Sequence, residues 1–356
     1  MKIFLRALLL MLIFPLFLGC PQKKDTSEAN YPDKDKGFFS DSSISKINGV
    51  SFVASKDTIS QENISPLKSI HANYVAIMPF GIVKNLDHPT ISYNQKWQWF
   101  GETQKGAGQY IRMLHNNNIR IMVKPQVWVW NGAFTGLMKM TSEADWLELE
   151  RGYRNFIMDF AKVAEDENVE IFCIGTELEN FVIQRPNYWR NLIAEIKTIY
   201  KGKLTYAANW DEYKRVPFWD AVDYIGVDAY FPVSKSQTPT VEEARRGWAA
   251  WKEELENFSQ KENKQIIFTE YGYRSVDYAG KQPWESDHTL SSMNLGAQAN
   301  TLQALYEEIW SEKWFAGGFL WKWFIAHDQV GGKNDNQFTP QNKPAEAIVA
   351  RFYKIW

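Results

Sequence analysis

The chain has 356 residues, 45% of them hydrophobic and 23% charged, with a net charge of −2. That composition supports a sizeable core and excludes general disorder, and the missing basic excess argues against a nucleic-acid binder. Aromatic content is high, with 16 Trp, while five scattered His and two Cys offer no zinc cluster and no metal site.

Residues 1–19 place Lys2 and Arg6 ahead of an apolar run, Ala7–Leu18, broken by Pro15. The run is too short to span a membrane as a helix and has the anatomy of a secretory signal peptide. It ends in Leu-Gly-Cys, which resembles a bacterial lipobox. Cys20 is therefore expected to be lipidated and to begin the mature chain, although a plain secretory signal with an incidental Cys is the alternative. A lipidated Cys20 would hold the protein on a membrane of the bacterial cell envelope without spanning it. Residues 20–46 are polar and read as a tether. The only other cysteine is Cys173, so no intramolecular disulfide is expected once Cys20 is acylated; Cys173 lies in an apolar run and reads as a buried small hydrophobe.

From residue 47 to residue 356 the sequence reads as a single domain. Eight short apolar runs follow one another: 49–54, 73–79, 119–125, 169–177, 204–209, 222–230, 265–270 and 317–323. Most are apolar on both parities, as expected of strands covered on both faces. Helical signals separate them. Ser142 and Thr240 are candidate N-caps, with Asp145 and Glu243 three residues on. Pro186 opens a stretch whose apolar face is Trp189, Leu192, Ile193, Ile196 and Tyr200. Further helical stretches are expected at 293–313 and 343–355, whereas only about a dozen residues join the fifth and sixth runs. The alternation predicts a (β/α)8 barrel, which typically takes ~250 residues. An open doubly wound sheet would normally show a Gly-rich phosphate turn, and none is present.

Barrel chemistry sits at the C-terminal ends of the strands. Those ends supply Lys124 and Gln126, then Thr176 and Glu177, Asn209 and Trp210, Asp228 and Tyr230, Glu270, and Trp321 to Trp323. Glu177 and Glu270 close strongly apolar runs, where a charge is costly unless used or paired. They end the fourth and seventh strands, across the barrel mouth from each other. Two carboxylates facing one cleft are what glycoside hydrolysis requires, with about 5–5.5 Å between them for retention and about 6.5–9.5 Å for inversion. The competing structural reading is that both are ion-paired, to Lys124 and Arg274. Glu179 shares the parity of Glu177 but falls past the strand, which leaves it a supporting role at most.

The tryptophans divide by position. Trp128, Trp130, Trp210, Trp321 and Trp323 fall at or past strand ends, where indole can stack on the C–H face of a sugar. Trp146, Trp189, Trp248, Trp251, Trp310 and Trp314 lie in helical stretches and read as packing, and Trp97 and Trp99 are open to either role.

Five segments taken together, FCIGTELE, LTYAANWD, IGVDAYFP, FTEYGYRS and GGFLWKWF, resemble glycoside hydrolase family 113. These are bacterial β-mannanases within the large retaining (β/α)8 clan, and the likeness runs through nearly all of 49–356. The resemblance implies that Glu177 is the acid/base and Glu270 the nucleophile. It further implies that Tyr230 hydrogen-bonds the nucleophile and Trp321 floors the cleaved sugar. Lys124, Trp128, Asn209, Asp228 and Trp323 would line the substrate. Thr176 stands where much of the clan has an Asn bonding the sugar 2-hydroxyl. No metal or organic cofactor is implied. The expected substrate is mannan, glucomannan or manno-oligosaccharide. A related β-glucan or xylan hydrolase and a non-catalytic glycan-binding lipoprotein are the alternatives.

Overall fold

Each of the eight apolar runs forms a parallel strand. The computed structural model describes residues 45–285 and 292–356, so the signal segment, Cys20 and nearly all of the tether lie outside the described residues. The strands are β1 (Ile47–Phe52), β2 (Tyr74–Ile77), β3 (Arg120–Val123), β4 (Ile171–Thr176), β5 (Lys203–Asn209), β6 (Ile225–Asp228), β7 (Ile266–Tyr271) and β8 (Phe315–Trp323). Each pairs with its neighbour in sequence, and β8 pairs with β1 to close a barrel.

Around it run α1 (Gln61–Ser69), α2 (Gln104–His115), α3 (Glu143–Asp166), α4 (Glu179–Gln184), α5 (Pro186–Ile199), α6 (Val241–Glu262), α7 (Leu295–Ile309) and α8 (Pro344–Ile355). The expected caps form. Ser142 accepts from the Asp145 N–H, and Thr240 with Glu243 makes a capping box. Pro186 occupies the first turn of α5, whose buried face is Trp189, Leu192, Ile193 and Ile196. The short link between β5 and β6 holds two single 3₁₀ turns, Tyr213–Arg215 and Trp219–Ala221, in place of a full helix.

Alternate residues of the strands fill the barrel. Ile47, Tyr74, Ala76, Met122, Ile171, Cys173, Ala207, Ile267 and Phe319 form one buried cluster inside it. Cys173 is thus a buried hydrophobe, its thiol directed at the Gly175 carbonyl at 3.1 Å. Lys46 closes the floor, its ammonium donating to the carbonyls of Glu312 and Phe315 at 2.6 and 2.5 Å. At the seam, Tyr353 of α8 donates to the Gly49 carbonyl at 2.6 Å and meets Tyr271 of β7 hydroxyl to hydroxyl, also at 2.6 Å. Trp146, Trp189, Trp248, Trp310 and Trp314 are buried in the surrounding shell, as their positions predict.

Two features of the fold shape the site. After Pro79 and Pro125 the chain leaves β2 and β3 and re-pairs as a separate two-stranded parallel sheet, Phe80–Val83 with Gln126–Val129. A proline has no N–H for the barrel ladder, so the pairing breaks there and resumes beyond it. Three strands also carry an irregular extra residue near their C-terminal ends. Between the pairs Cys173–Thr205 and Thr176–Ala207, β4 advances one residue more than β5. Between Val227–Phe268 and Asp228–Glu270, β7 gains one residue on β6, and between Val50–Leu320 and Phe52–Trp323, β8 gains one on β1. Such bulges break the two-residue alternation and re-aim side chains.

Candidate active site

The bulge in β7 lets two consecutive residues face the barrel axis. Thr269 donates to Asp228 at 2.7 Å, and Glu270 receives three donors. Its Oε1 accepts from Lys124 Nζ at 2.5 Å and from Gln126 Nε2 at 3.0 Å, and its Oε2 accepts from the Tyr230 hydroxyl at 2.7 Å. Lys124 also reaches both Asp228 oxygens, at 3.2 and 3.4 Å. Lys124 and Asp228 are fully buried, whereas Glu270 keeps 7% of its surface open. Glu270 is therefore wrapped in donors at the bottom of an opening.

Burial disfavours the Lys124 ammonium, but Asp228 and Glu270 outweigh it and raise its pKa, so the cation persists. For Asp228, burial and then the Glu270 charge push the carboxyl up to about 7, against the pull of Lys124 and Thr269. Burial, together with the charges of Glu270 and Asp228, keeps the Tyr230 hydroxyl protonated and donating.

Glu177 lies in a contrasting environment. Its backbone is left-handed, with φ +49°, and its N–H extends the ladder to the Ala207 carbonyl at 2.8 Å. That turn lifts the side chain off the strand into the mouth. Behind it the chain is pinned: the Leu178 N–H donates to Tyr206 Oη at 2.7 Å, and that hydroxyl donates to Glu212 at 2.8 Å. Gly175 is required beneath it, because a Cβ there would stand 2.6 Å from the Tyr153 hydroxyl. The Glu177 carboxyl has no hydrogen-bond partner among the described residues. Burial first, then the charges of Asp228 and Glu270, push its pKa well above the ordinary carboxyl range, with Lys124 opposing and Glu212 assisting. One carboxyl is thus fixed by three donors, while the other is held as an acid by burial and by the charges around it. That is the division of labour a general acid and a nucleophile need.

The site holds further polar groups. The Thr176 hydroxyl is buried without a hydrogen-bond partner among the described residues. Asn209 is partly exposed; its Oδ1 accepts from the Trp210 N–H at 2.7 Å, which turns its amide nitrogen away from the backbone. Trp321 is partly exposed at the end of β8, with the Lys322 ammonium 5.4 Å from its ring.

A sequence profile describing glycoside hydrolase family 113 matches residues 53–343. The chain belongs to glycoside hydrolase family 113. Among solved structures, this hydrolase is similar to the family 113 β-mannanase AaManA of Alicyclobacillus acidocaldarius in complex with ManMIm. Identity is 24%, over 88% of this chain and 99% of that one, with a TM-score of 0.75. A second family 113 β-1,4-mannanase is 22% identical over 87% and 99% of the two chains, with a TM-score of 0.74. A more distant likeness is the β-glucuronidase of Ruminococcus gnavus, 15% identical over 87% of this chain and 50% of that one, with a TM-score of 0.58. At these identities the likenesses establish the barrel fold. No curated protein matches the chain.

Within the hydrolase, three sequence expectations need correction. Lys124 and Asp228 were expected to line the substrate, yet both are fully buried beneath Glu270, since they share strand faces with the residues filling the barrel. Lys124 donates to Glu270 and to Asp228, and so ties the two carboxyls together. Trp323 is also fully buried and packs 5.6 Å from the His327 ring. The β8 bulge separates it from Trp321, so only Trp321 faces the mouth. The structural reading of the two glutamates holds for one partner only. Lys124 does pair with Glu270, while Arg274 donates to Asn336 at 3.2 Å and Glu177 has no ion pair among the described residues.

Three participants had no role assigned from the sequence. Gln126 was named at a strand end beside Lys124, a position that marked it as available. Glu212 and Tyr206 carried a weaker signal. Glu212 follows Asn209 by three residues, and Tyr206 lies inside an apolar run. Glu179 pairs with Arg215, in keeping with a supporting role.

Proposed function

We propose that this glycoside hydrolase is a retaining β-mannanase, cleaving β-1,4-linked mannan, glucomannan or manno-oligosaccharides, with Glu177 as acid/base and Glu270 as nucleophile. The observation that carries the reading is the opposite environment of the two carboxyls. Glu270 is fixed by three donors, Lys124, Gln126 and Tyr230. Glu177 is an acid with no hydrogen-bond partner among the described residues, its proton retained by burial and by neighbouring negative charge.

In the first step a Glu270 oxygen attacks the anomeric carbon. The bond to the leaving sugar breaks, its electron pair goes to the departing oxygen, and Glu177 gives that oxygen its proton. A glycosyl ester on Glu270 remains. Esterification removes the Glu270 charge, one of the causes that raise the Glu177 pKa, so the ionised Glu177 becomes easier to sustain. It then takes a proton from water as that water attacks the anomeric carbon, the ester bond breaks, and Glu270 returns as a carboxylate.

Trp321 supplies a ring for the sugar face. The unpartnered Thr176 hydroxyl is a donor awaiting an acceptor on the substrate, the office the clan gives to Asn. Asn209 and Trp128 add contacts further along the chain. The mannan preference rests on the family and on the two family 113 β-mannanases that the chain resembles. The protein is carried on the bacterial cell envelope by a lipid on Cys20, as its lipobox-like segment suggests.

Glu177→Ala and Glu270→Ala test the catalytic assignment. Each should remain folded by circular dichroism and lose at least about 10³-fold in reducing-end release, from the value of an acid or nucleophile in such reactions. Wild-type rates in either folded variant end the assignment. A panel of β-1,4-mannan, cellulose and xylan tests the substrate, and turnover of cellulose or xylan without mannan ends the mannanase reading.

A further inference from the structure

The small sheet that springs from β2 and β3 carries its own surface. Its strand Gln126–Val129 alternates strictly: Val127 and Val129 are buried, while Trp128 is 52% exposed and Trp130, just past the strand, 68% exposed. The ladder continues through Trp130, whose N–H donates to the Val83 carbonyl at 2.9 Å. Gln126, Trp128 and Trp130 therefore stand on one face. The first of them is hydrogen-bonded to Glu270. At ~3.3 Å per residue, Trp128 and Trp130 lie roughly 7 and 13 Å along the strand from Gln126, a distance that several linked pyranose rings cover. At the far end Trp97, 55% exposed, meets Trp130 edge to face at 6.0 Å, which braces the outermost ring.

Exposed indoles in a row on a rigid strand are costly to keep unless they bind something. Packing does not explain them, because the valines on the opposite face already bury that side of the sheet. The face begins at a carboxylate of the catalytic centre and runs outward, so whatever it holds is continuous with the molecule being cleaved.

We propose that Trp128, Trp130 and Trp97 form a rail of successive sugar-binding positions for a long β-linked glycan chain, and that this rail makes the enzyme favour attack on long chains over short ones. The proposal rests on the reading of Glu270 as the reacting carboxylate. Indole faces take the apolar C–H faces of pyranose rings and leave the hydroxyls at the ring edges to water. A chain seated on the rail is held over the catalytic centre at several points, so each added sugar that reaches a tryptophan raises kcat/KM until the rail is filled.

The test is kcat/KM across manno-oligosaccharides from trisaccharide to hexasaccharide for wild type, Trp130→Ala, Trp97→Ala and Trp130→Phe. Wild type should gain at least tenfold with length. Trp130→Ala should cut the hexasaccharide-to-trisaccharide ratio by about tenfold, equivalent to ~1.4 kcal/mol, Trp97→Ala should cut it by less, and Trp130→Phe should preserve most of it. Because Trp130 is exposed, its truncation leaves the barrel core intact, and a thermal melt verifies this. A ratio unmoved in Trp130→Ala, as a rail serving a protein partner would give, overturns the proposal, as does a wild type indifferent to length. If wild type cleaves only cello- or xylo-oligosaccharides, the mannan reading fails, and the same ratio measured on that series still decides the rail.

Discussion

Lys124→Met removes the cation hydrogen-bonded to the reacting carboxylate while keeping most of its volume. In the native protein Lys124 sits 2.5 Å from Glu270 and 3.2 Å from Asp228, with no exposed surface of its own. Without it two buried carboxylates face each other uncompensated. Breaking a buried pair from one side costs about 3–5 kcal/mol. With an unfolding entropy of ~2.1 cal/mol/K per residue over roughly 300 residues, each kcal/mol moves Tm by about 1.5 °C, so the expected loss is about 5–8 °C. The loss should depend on pH in a stated direction. Asp228, raised from 3.8 to about 7, binds its proton more tightly folded than unfolded. Wild-type stability from this group is therefore complete below about 4 and is lost as pH rises to about 7, and removal of Lys124 should steepen that fall. Denaturant melts at pH 5 and pH 8 read both effects. Adding Asp228→Asn to Lys124→Met should recover at least about 1 kcal/mol, since it removes one of the two opposed charges. Activity should fall roughly 10–100-fold with the lost charge-assisted bond to Glu270. A Lys124→Met protein within 1 kcal/mol of wild type at both pH values, with no rescue by Asp228→Asn, refutes the idea that Lys124 compensates this pair.

Thr176→Val should leave stability within about 0.5 kcal/mol, since its hydroxyl has no protein partner to lose, yet lower kcat/KM about tenfold or more through the missing sugar contact. Unchanged kinetics would remove Thr176 from the substrate site. Glu212 is pushed up from 4.5 to about 7 by burial and assists in raising Glu177. Its stability contribution is present below about 4.5 and lost towards 7, so Glu212→Gln should flatten the stability slope across that range. The same variant should move the alkaline limb of kcat/KM to lower pH, which a pH–rate profile measures. Trp323→Ala, at a fully buried ring, should lose about 3–5 kcal/mol in denaturant melts. Trp321→Ala should instead remain within about 1 kcal/mol and lose catalytic efficiency; the reverse pattern would exchange their roles.

The barrel was legible because its strands are apolar on both faces and its helices announce their caps, as Ser142 and Thr240 do. Glu177 and Glu270 were legible because a carboxylate ending an apolar strand is conspicuous. Depth was not legible. Lys124 and Asp228 read as strand-end polar residues, and only the closed barrel puts them below the opening. The bulges were hidden as well, because an extra residue in a ladder depends on the neighbouring strand. Hence Trp321 and Trp323, alike in sequence, part ways, and Thr269 and Glu270, adjacent in sequence, face the same axis. The paired extension did leave a trace: FGIV and QVWV each follow a proline that ends a strand, at matching places in consecutive units. The Tyr206–Glu212 support of the Glu177 turn joins a strand to the loop beyond it, and no local pattern encodes that hydrogen bond.

The two-carboxylate account is tested most directly by ¹H NMR of the first products from a β-1,4-linked manno-oligosaccharide, recorded before mutarotation. The account predicts that the new reducing end appears first as the β-anomer, the configuration of the cleaved bond, because two displacements at the anomeric carbon restore it. Appearance of the α-anomer first would mean a single displacement by water, and would contradict Glu270 as nucleophile.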